Sequence, residues 1–169
     1  RRGEDMRTQN RQHIDVIMGG PGREAEVSRK SAATIAQALH DAGHDVRRID
    51  IATHLDQDLL RPNSVVFNIV HGTYGEDGSA QDDLAAAGRV YVGSDARASR
   101  LCMDKEDCKQ VLAGAGLPVP WGRVIDPRRP VDPRDLRPPS LAGFVIKPRR
   151  DGSSVGLRAI ANLGFLLPT

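Results

Sequence analysis

Cysteine, lysine and aromatic residues are all scarce in this 169-residue chain of 18.3 kDa, and it has no long apolar run. The two cysteines, Cys102 and Cys108, cannot form a disulfide scaffold or, by themselves, a structural zinc site. Six positions apart, they would fall on different faces of a helix and read as core or neutral residues. No apolar stretch approaches the roughly 18 residues of a membrane span, and the opening RRGEDMRTQN lacks the apolar segment of a signal peptide. The expectation is a cytoplasmic chain with reduced thiols and no membrane partner. Aromatics make up 4% of the residues, too few platforms for stacked bases. A net charge of +2 is also too balanced for dedicated nucleic-acid binding, despite a pI near 8.8.

What is present argues for a packed α/β protein. Hydrophobic residues are 39% of the chain, and the 17 glycines bring the apolar share to the globular average of about 45–50%. That supports one domain of ordinary size, or one and a fraction. HIDVIM (His13 to Met18) is a short apolar run ending in Gly19-Gly20, the profile of a buried strand and a tight turn. Ser28 precedes a helical pattern with Ile35, Leu39 and Ala42 on one face and Gly43 as its stop. Asp45 to Ile51 and Ser64 to Val70 read as further strands, Ser79 to Ala87 as a helix and Arg89 to Val92 as a short strand. Such alternation predicts a parallel sheet with ligands at the strands' C-terminal ends. Beyond a boundary near Leu101, Asp104 is expected to cap a helix over Lys105 to Ala113. Pro127 to Pro139 reads as a connector, and Phe144–Lys147 with Val155–Ile160 as a hairpin.

Charge is unevenly placed. From Asp50 to Asp83 there are seven acids against Arg61, and from Arg123 to Arg150 eight bases against three acids. An RNA-binding face is one reading of the basic stretch, but Phe144 is its single aromatic, with Trp121 just before it. A polyanionic small molecule explains the stretch better, although Arg128, Arg129, Arg134 and Arg137 also fit a solvated, proline-rich loop.

The loops after the strands carry the chemistry. Gly20-Pro21-Gly22-Arg23-Glu24-Ala25 formally matches the dinucleotide fingerprint, with Asp50 where a ribose-binding acid belongs. Pro21 removes an N–H donor, and Glu24 and Glu26 would face a pyrophosphate with carboxylates, so an ammonium group suits this loop better. Stabilisation of the helix dipole is the plainer role for these acids. The third strand ends in His71-Gly72-Thr73-Tyr74-Gly75-Glu76-Asp77-Gly78, where three glycines signal close backbone approach and His71 sits at the sheet edge. Asp77 is a candidate N-cap. Only four of the 24 basic residues are lysines: Lys30, Lys105, Lys109 and Lys147. Lys147 stands beside Arg150-Asp151-Gly152-Ser153-Ser154, which can be read as a phosphate cradle or as an ordinary Asp-Gly hairpin turn.

Taken together and in order, MGGPGREAEVSRKS (18–31), HGTYGEDGSAQ (71–81), YVGSDARAS (91–99), MDK (103–105), GAGLPVP (114–120) and VIKPRRDGSSVG (145–156) resemble the D-alanine–D-alanine ligases of the ATP-grasp superfamily. The resemblance implies a Rossmann-like domain over 12–100 followed by the beginning of an ATP-grasp domain over 101–169. It implies ATP-dependent joining of two D-alanines through an acyl phosphate, for peptidoglycan. Glu26 would engage the amino group of the first D-alanine, His71 would lie near its carboxylate, and Ser153 would join the network with the glutamate. Lys105, Lys147, Gly152, Ser153 and Ser154 would hold ATP. Homodimerisation and Mg²⁺ or Mn²⁺ belong to the complete family enzyme.

Departures are modest at Arg149, where a small residue is common after Lys-Pro, and at Asp82, where Gly usually follows Gln81. After Asn162 the resemblance stops, and the metal ligands expected further along the family's length are not found. The non-Met start and the NLGFLLPT ending suggest a fragment, expected to be inactive alone and to fold only in part. Rival readings are a non-enzymatic nucleotide- or amino-acid-binding remnant and an NAD-binding Rossmann module.

Overall fold

His13–Gly19 form β1, whose Val16 and Ile17 are wholly buried on opposite faces, so this strand needs cover on both sides. The computed structural model describes residues 11–130 and 143–160. The middle and end of the proline-rich connector, with Arg134 and Arg137, lie outside the described residues, as does the segment from 161 onward. Strands β2 (Asp45–Ile51), β3 (Val65–Asn68) and β4 (Val90–Val92) complete a fully parallel sheet of order β2-β1-β3-β4. From β1 the chain passes to β2 on one side and then crosses to β3 on the other. The loops after β1 and β3 therefore diverge at a topological switch point, where open α/β sheets bind ligands.

One sheet face is covered by helix α1 (Ala25–Asp41). Its Ala32, Ile35, Ala36 and Leu39 pack with Ile14, Val16 and Ile69. The opposite face gathers Ile17, Ile49, Ile51, Leu60, Val66 and Val70 with Leu84 and Ala80 of helix α2 (Ser79–Ala86). Helix α1 begins at Ala25, four residues before the start expected after Ser28. Ser28 thus lies inside its first turn, buried, where its hydroxyl accepts from the Gly19 N–H at 2.9 Å and donates to the Ile69 carbonyl at 2.6 Å.

At the other end of β1, Asp15 is fully buried. Burial pushes its carboxyl up, but the Arg61 N–H, the Ser64 hydroxyl and the Arg47 and Arg61 guanidiniums together hold it below the usual carboxylate range.

The chain divides between Arg100 and Leu101 into two compact units. Helix α3 (Ala96–Met103), which periodicity did not suggest, crosses that division. In the second unit, α4 (Lys105–Gly114) is capped by Asp104 as expected, and β5 (Phe144–Ile146) pairs antiparallel with β6 (Arg158–Ile160). β6 starts three residues later than expected because 150–157 are spent on turns. Cys102 is exposed at the end of α3 and Cys108 half-buried on α4, so they sit on different helices and neither is a core residue.

Candidate functional site

The first unit brings its acidic and imidazole groups together at the switch point. Gly19 and Gly20 turn sharply after β1 with φ of +85° and +98°. The loop then runs close against the end of β3: a Cβ at Gly20 would stand 2.6 Å from Cγ1 of Val70, and one at Gly72 only 2.8 Å from Oε2 of Glu24. These contacts place the Glu24 carboxylate on the backbone next to His71. The imidazole Nδ1 of His71 lies 3.2 Å from the Glu76 carboxylate, while its Nε2 is buried and has no hydrogen-bond partner among the described residues. A buried imidazole nitrogen left without a partner is costly unless a ligand or water supplies one.

Glu26 is placed differently from what the resemblance implied. Its side chain is 75% exposed and pairs with the Arg29 guanidinium one turn along α1. Arg29 also grips both oxygens of Asp50, at 2.7 and 3.2 Å, and these carboxylates hold its proton above the ordinary guanidinium range. Glu24 is therefore the loop acid beside His71, and Glu26 is bound into a surface cluster. The spacing of the two acids across the helix start could have separated them, had the start been set at Ala25. The same cluster bears on the dinucleotide reading, because Asp50 faces Arg29 rather than standing open for a ribose.

The 71–78 loop is held rigidly. Tyr74 adopts a left-handed φ of +75° and is 3% exposed. Its hydroxyl accepts from the Leu55 N–H at 2.8 Å and donates to Asp83 at 2.9 Å, and burial, aided by Asp83, pushes its pKa up to about 12. A Cβ at Gly75 would fall 1.9 Å from the Val70 carbonyl oxygen, so no other residue fits there without moving backbone. The Gly75 carbonyl in turn accepts from Asn68 and Gln81 side chains. Asp77 caps α2 from one position earlier than expected, accepting from Ser79 N–H and Tyr74 N–H, while Gly78 takes the N-cap position.

In the second unit, Lys105, Lys147 and residues 151–155 line a cavity of about 180 Å³ together with Pro148 and Leu157. Ser153 and Ser154 are successive non-glycine residues with left-handed φ of +46° and +59°, a backbone form that stores strain and concentrates at binding loops. The Gly152 N–H is taken by the Asp151 carboxylate and the Val155 N–H by the Gly152 carbonyl, so two of the loop's N–H donors are spent internally. Lys105 donates to the carbonyls of Arg149 (3.4 Å) and Asp151, and Lys147 is exposed with no carboxylate partner among the described residues. Lys105, Lys147, Gly152, Ser153 and Ser154 are thus assembled in one place. Glu24, Glu26 and His71 belong to the first unit.

No family model matches the sequence. Among proteins of known name, the chain is 43% identical over 150 residues to a D-alanine–D-alanine ligase of Caulobacter sp. strain K31, covering 88% of this chain and 45% of that protein. It is 40% identical over 147 residues to the enzyme of the same name from Methylobacterium radiotolerans, covering 86% and 46%. Two solved D-alanine–D-alanine ligases share its fold. That of Bacillus anthracis has TM-score 0.76 and 29% identity over 92% of this chain and 51% of its own, and that of Coxiella burnetii has TM-score 0.77 and 26% identity over 90% and 57%. The Bacillus anthracis enzyme is also known complexed with ATP. The chain spans about half the length of the curated relatives it matches. By sequence and by fold, it belongs to the D-alanine–D-alanine ligase family and corresponds to the N-terminal portion of those enzymes.

Proposed function

We propose that this chain supplies the first-substrate loops and the polyphosphate cradle of an ATP-dependent ligase that joins two D-alanines through an acyl phosphate for peptidoglycan synthesis. The observation that carries the reading is the convergence at the switch point of the Glu24 carboxylate with His71, whose buried Nε2 is unpartnered among the described residues. A zwitterionic amino acid needs an acid for its ammonium and a donor for its carboxylate, and these two residues supply that pair. Glu24 takes the role that the resemblance implied for Glu26. Ser153 would complete the network.

In the second unit, Lys105 and Lys147 would offset phosphate charge as it shifts during transfer, and Gly152, Ser153 and Ser154 would shape the cradle around the transferring group. ATP supplies the phosphoryl group that activates the first D-alanine's carboxylate. Among the described residues, no three His, Cys, Asp or Glu side chains gather to hold an ion. The Mg²⁺ or Mn²⁺ implied by the family therefore finds no ligand set there, and no step is assigned to it. No helix among the described residues is long and apolar enough to cross a membrane. The family resemblance is the ground for proposing a cytoplasmic place for the ligase. Units 12–100 and 101–169 are proposed as the Rossmann-like domain and the opening of the ATP-grasp domain, in an enzyme that acts as a homodimer.

The test is D-alanine-dependent phosphate release by this chain fused to the remaining length of the Caulobacter ligase. His71→Ala and Glu24→Gln are each expected to lower kcat/KM by roughly 10²-fold or more, and Glu26→Gln by far less. Equal losses at Glu24 and Glu26 would refute the assignment. The 169-residue chain alone is expected to release no phosphate from ATP with D-alanine and Mg²⁺. Submillimolar ATP or D-alanine binding by the fusion without turnover would instead favour a non-enzymatic binder.

A further inference from the structure

Asp104 does more than cap a helix. An N-cap needs one side-chain oxygen for one or two N–H groups of the first turn. Here Oδ1 accepts from the Glu106 and Asp107 N–H groups at 3.1 and 3.2 Å and also from Arg149 Nε at 2.6 Å, while Oδ2 accepts from Arg150 Nε at 2.7 Å. Both arginines come from more than 40 residues along the chain, and the carboxylate they share is 3% exposed. Arg149 extends the clasp to Asp107 at 2.7 Å. Its carbonyl accepts the Lys105 N–H at 3.1 Å, and the Lys105 ammonium reaches the Arg149 and Asp151 carbonyls. The first turn of α4 and the 149–151 turn are thus joined by side-chain and backbone bonds, and that turn leads directly into the strained Ser153-Ser154 pair.

A guanidinium is the strongest side-chain ligand for phosphate, through its planar fork of donors. Two of them beside a cradle would compete with its lysines. Arg149 and Arg150 instead spend Nε–H donors on Asp104, whereas neither Lys105 nor Lys147 has a carboxylate partner among the described residues.

We propose that Asp104 is a positioning residue. Through Arg149 and Arg150 it fixes the 149–154 loop and the Lys105 ammonium as a polyphosphate cradle, and it keeps both guanidiniums away from the phosphates. The inference rests on the polyphosphate reading of this cavity, and its test separates the two.

The measurement is amide hydrogen exchange by NMR on the 169-residue chain, combined with titration by inorganic tripolyphosphate. Asp104→Ser keeps a good helix cap but cannot hold two arginines, and Asp104→Asn keeps the shape without the charge. Both variants are expected to speed exchange at Gly152 to Val155 at least tenfold, with the amides of β1 and β3 unchanged. Arg149→Lys, which keeps charge but loses the fork, should do the same. If Asp104→Ser exchanges like the wild type, Asp104 is a cap alone and the proposal is overturned. Tripolyphosphate binding should fall about tenfold in Asp104→Ser and vanish in Lys105→Met/Lys147→Met. Wild-type tripolyphosphate affinity in the double lysine variant would refute the polyphosphate reading, and the exchange result would still decide whether Asp104 positions the loop.

Discussion

The two units keep their order by different means. The first builds around aliphatic side chains, with Val16, Ile17, Val66 and Leu84 wholly removed from water on the two sides of one sheet. In the second, the single buried side chain among the described residues is a carboxylate, Asp104, while Val111, Leu117, Trp121 and Val145 are each more than half exposed. Burial of apolar area is non-directional and tolerates small shifts, whereas charge-assisted bonds fix angles and fail when one partner leaves. The first unit is thus suited to holding loops at a fixed separation. The second depends on a few oriented contacts.

Substitutions can break this contrast, beginning with the most damaging. Asp15 is the first unit's own buried charge, and Asp15→Asn is expected to cost roughly 3–5 kcal/mol in urea unfolding, since it takes the charge from a buried acceptor that receives several bonds, from the Arg61 N–H, the Ser64 hydroxyl and the Arg47 and Arg61 guanidiniums. Because its folded carboxyl is depressed, the stabilisation is present above the ordinary carboxylate pKa and is lost as pH falls through the lowered folded value. An acid titration in which wild type and Asp15→Asn lose stability in parallel would contradict this. Leu84→Ala should cost roughly 2–5 kcal/mol and lower the first unit's transition alone. Next comes Tyr74→Phe, which strands the Leu55 N–H and Asp83, at roughly 1–3 kcal/mol. With the phenol pushed up to about 12, wild-type stability should decline between about pH 10, where the unfolded tyrosine ionises, and pH 12, and Tyr74→Phe should flatten that decline. The smallest effect belongs to Arg29→Ala on the exposed face of α1, for which unchanged thermal unfolding is the expected outcome.

Much of the first unit was legible because its elements obey strong periodicities. HIDVIM, the Ile35-Leu39 face and the Gly43 stop all correspond to observed elements, and the parallel sheet followed from their alternation. The start of α1 was misplaced because Ser28, a typical capping residue, is used inside the helix to bridge two strands. No helix was expected over ARASRLCM, because the boundary expected near Leu101 falls inside these eight residues. At the candidate site, His71 and Lys147 could be singled out from their position at strand ends beside glycine-containing loops, whereas Lys105 was implied only by the family resemblance. The choice between Glu24 and Glu26 was not legible, since it turns on which carboxylate meets Gly72 and which meets Arg29. The Asp104 clasp joins residues 45 and 46 positions apart, beyond the reach of any local pattern.

The buried hydroxyl of Ser28 sits where the β1–β3 ladder ends, after Ile17 accepts its last strand bond from Ile69. Beyond that point, one oxygen atom stands between the Gly19 N–H and the Ile69 carbonyl and takes over the spacing of the two strands. The mouth of the crevice is consequently gauged by the length of a serine side chain. A methyl group there would let the strands part, and a bulkier thiol would wedge them, so that the separation of the neighbouring loops is set from inside a helix.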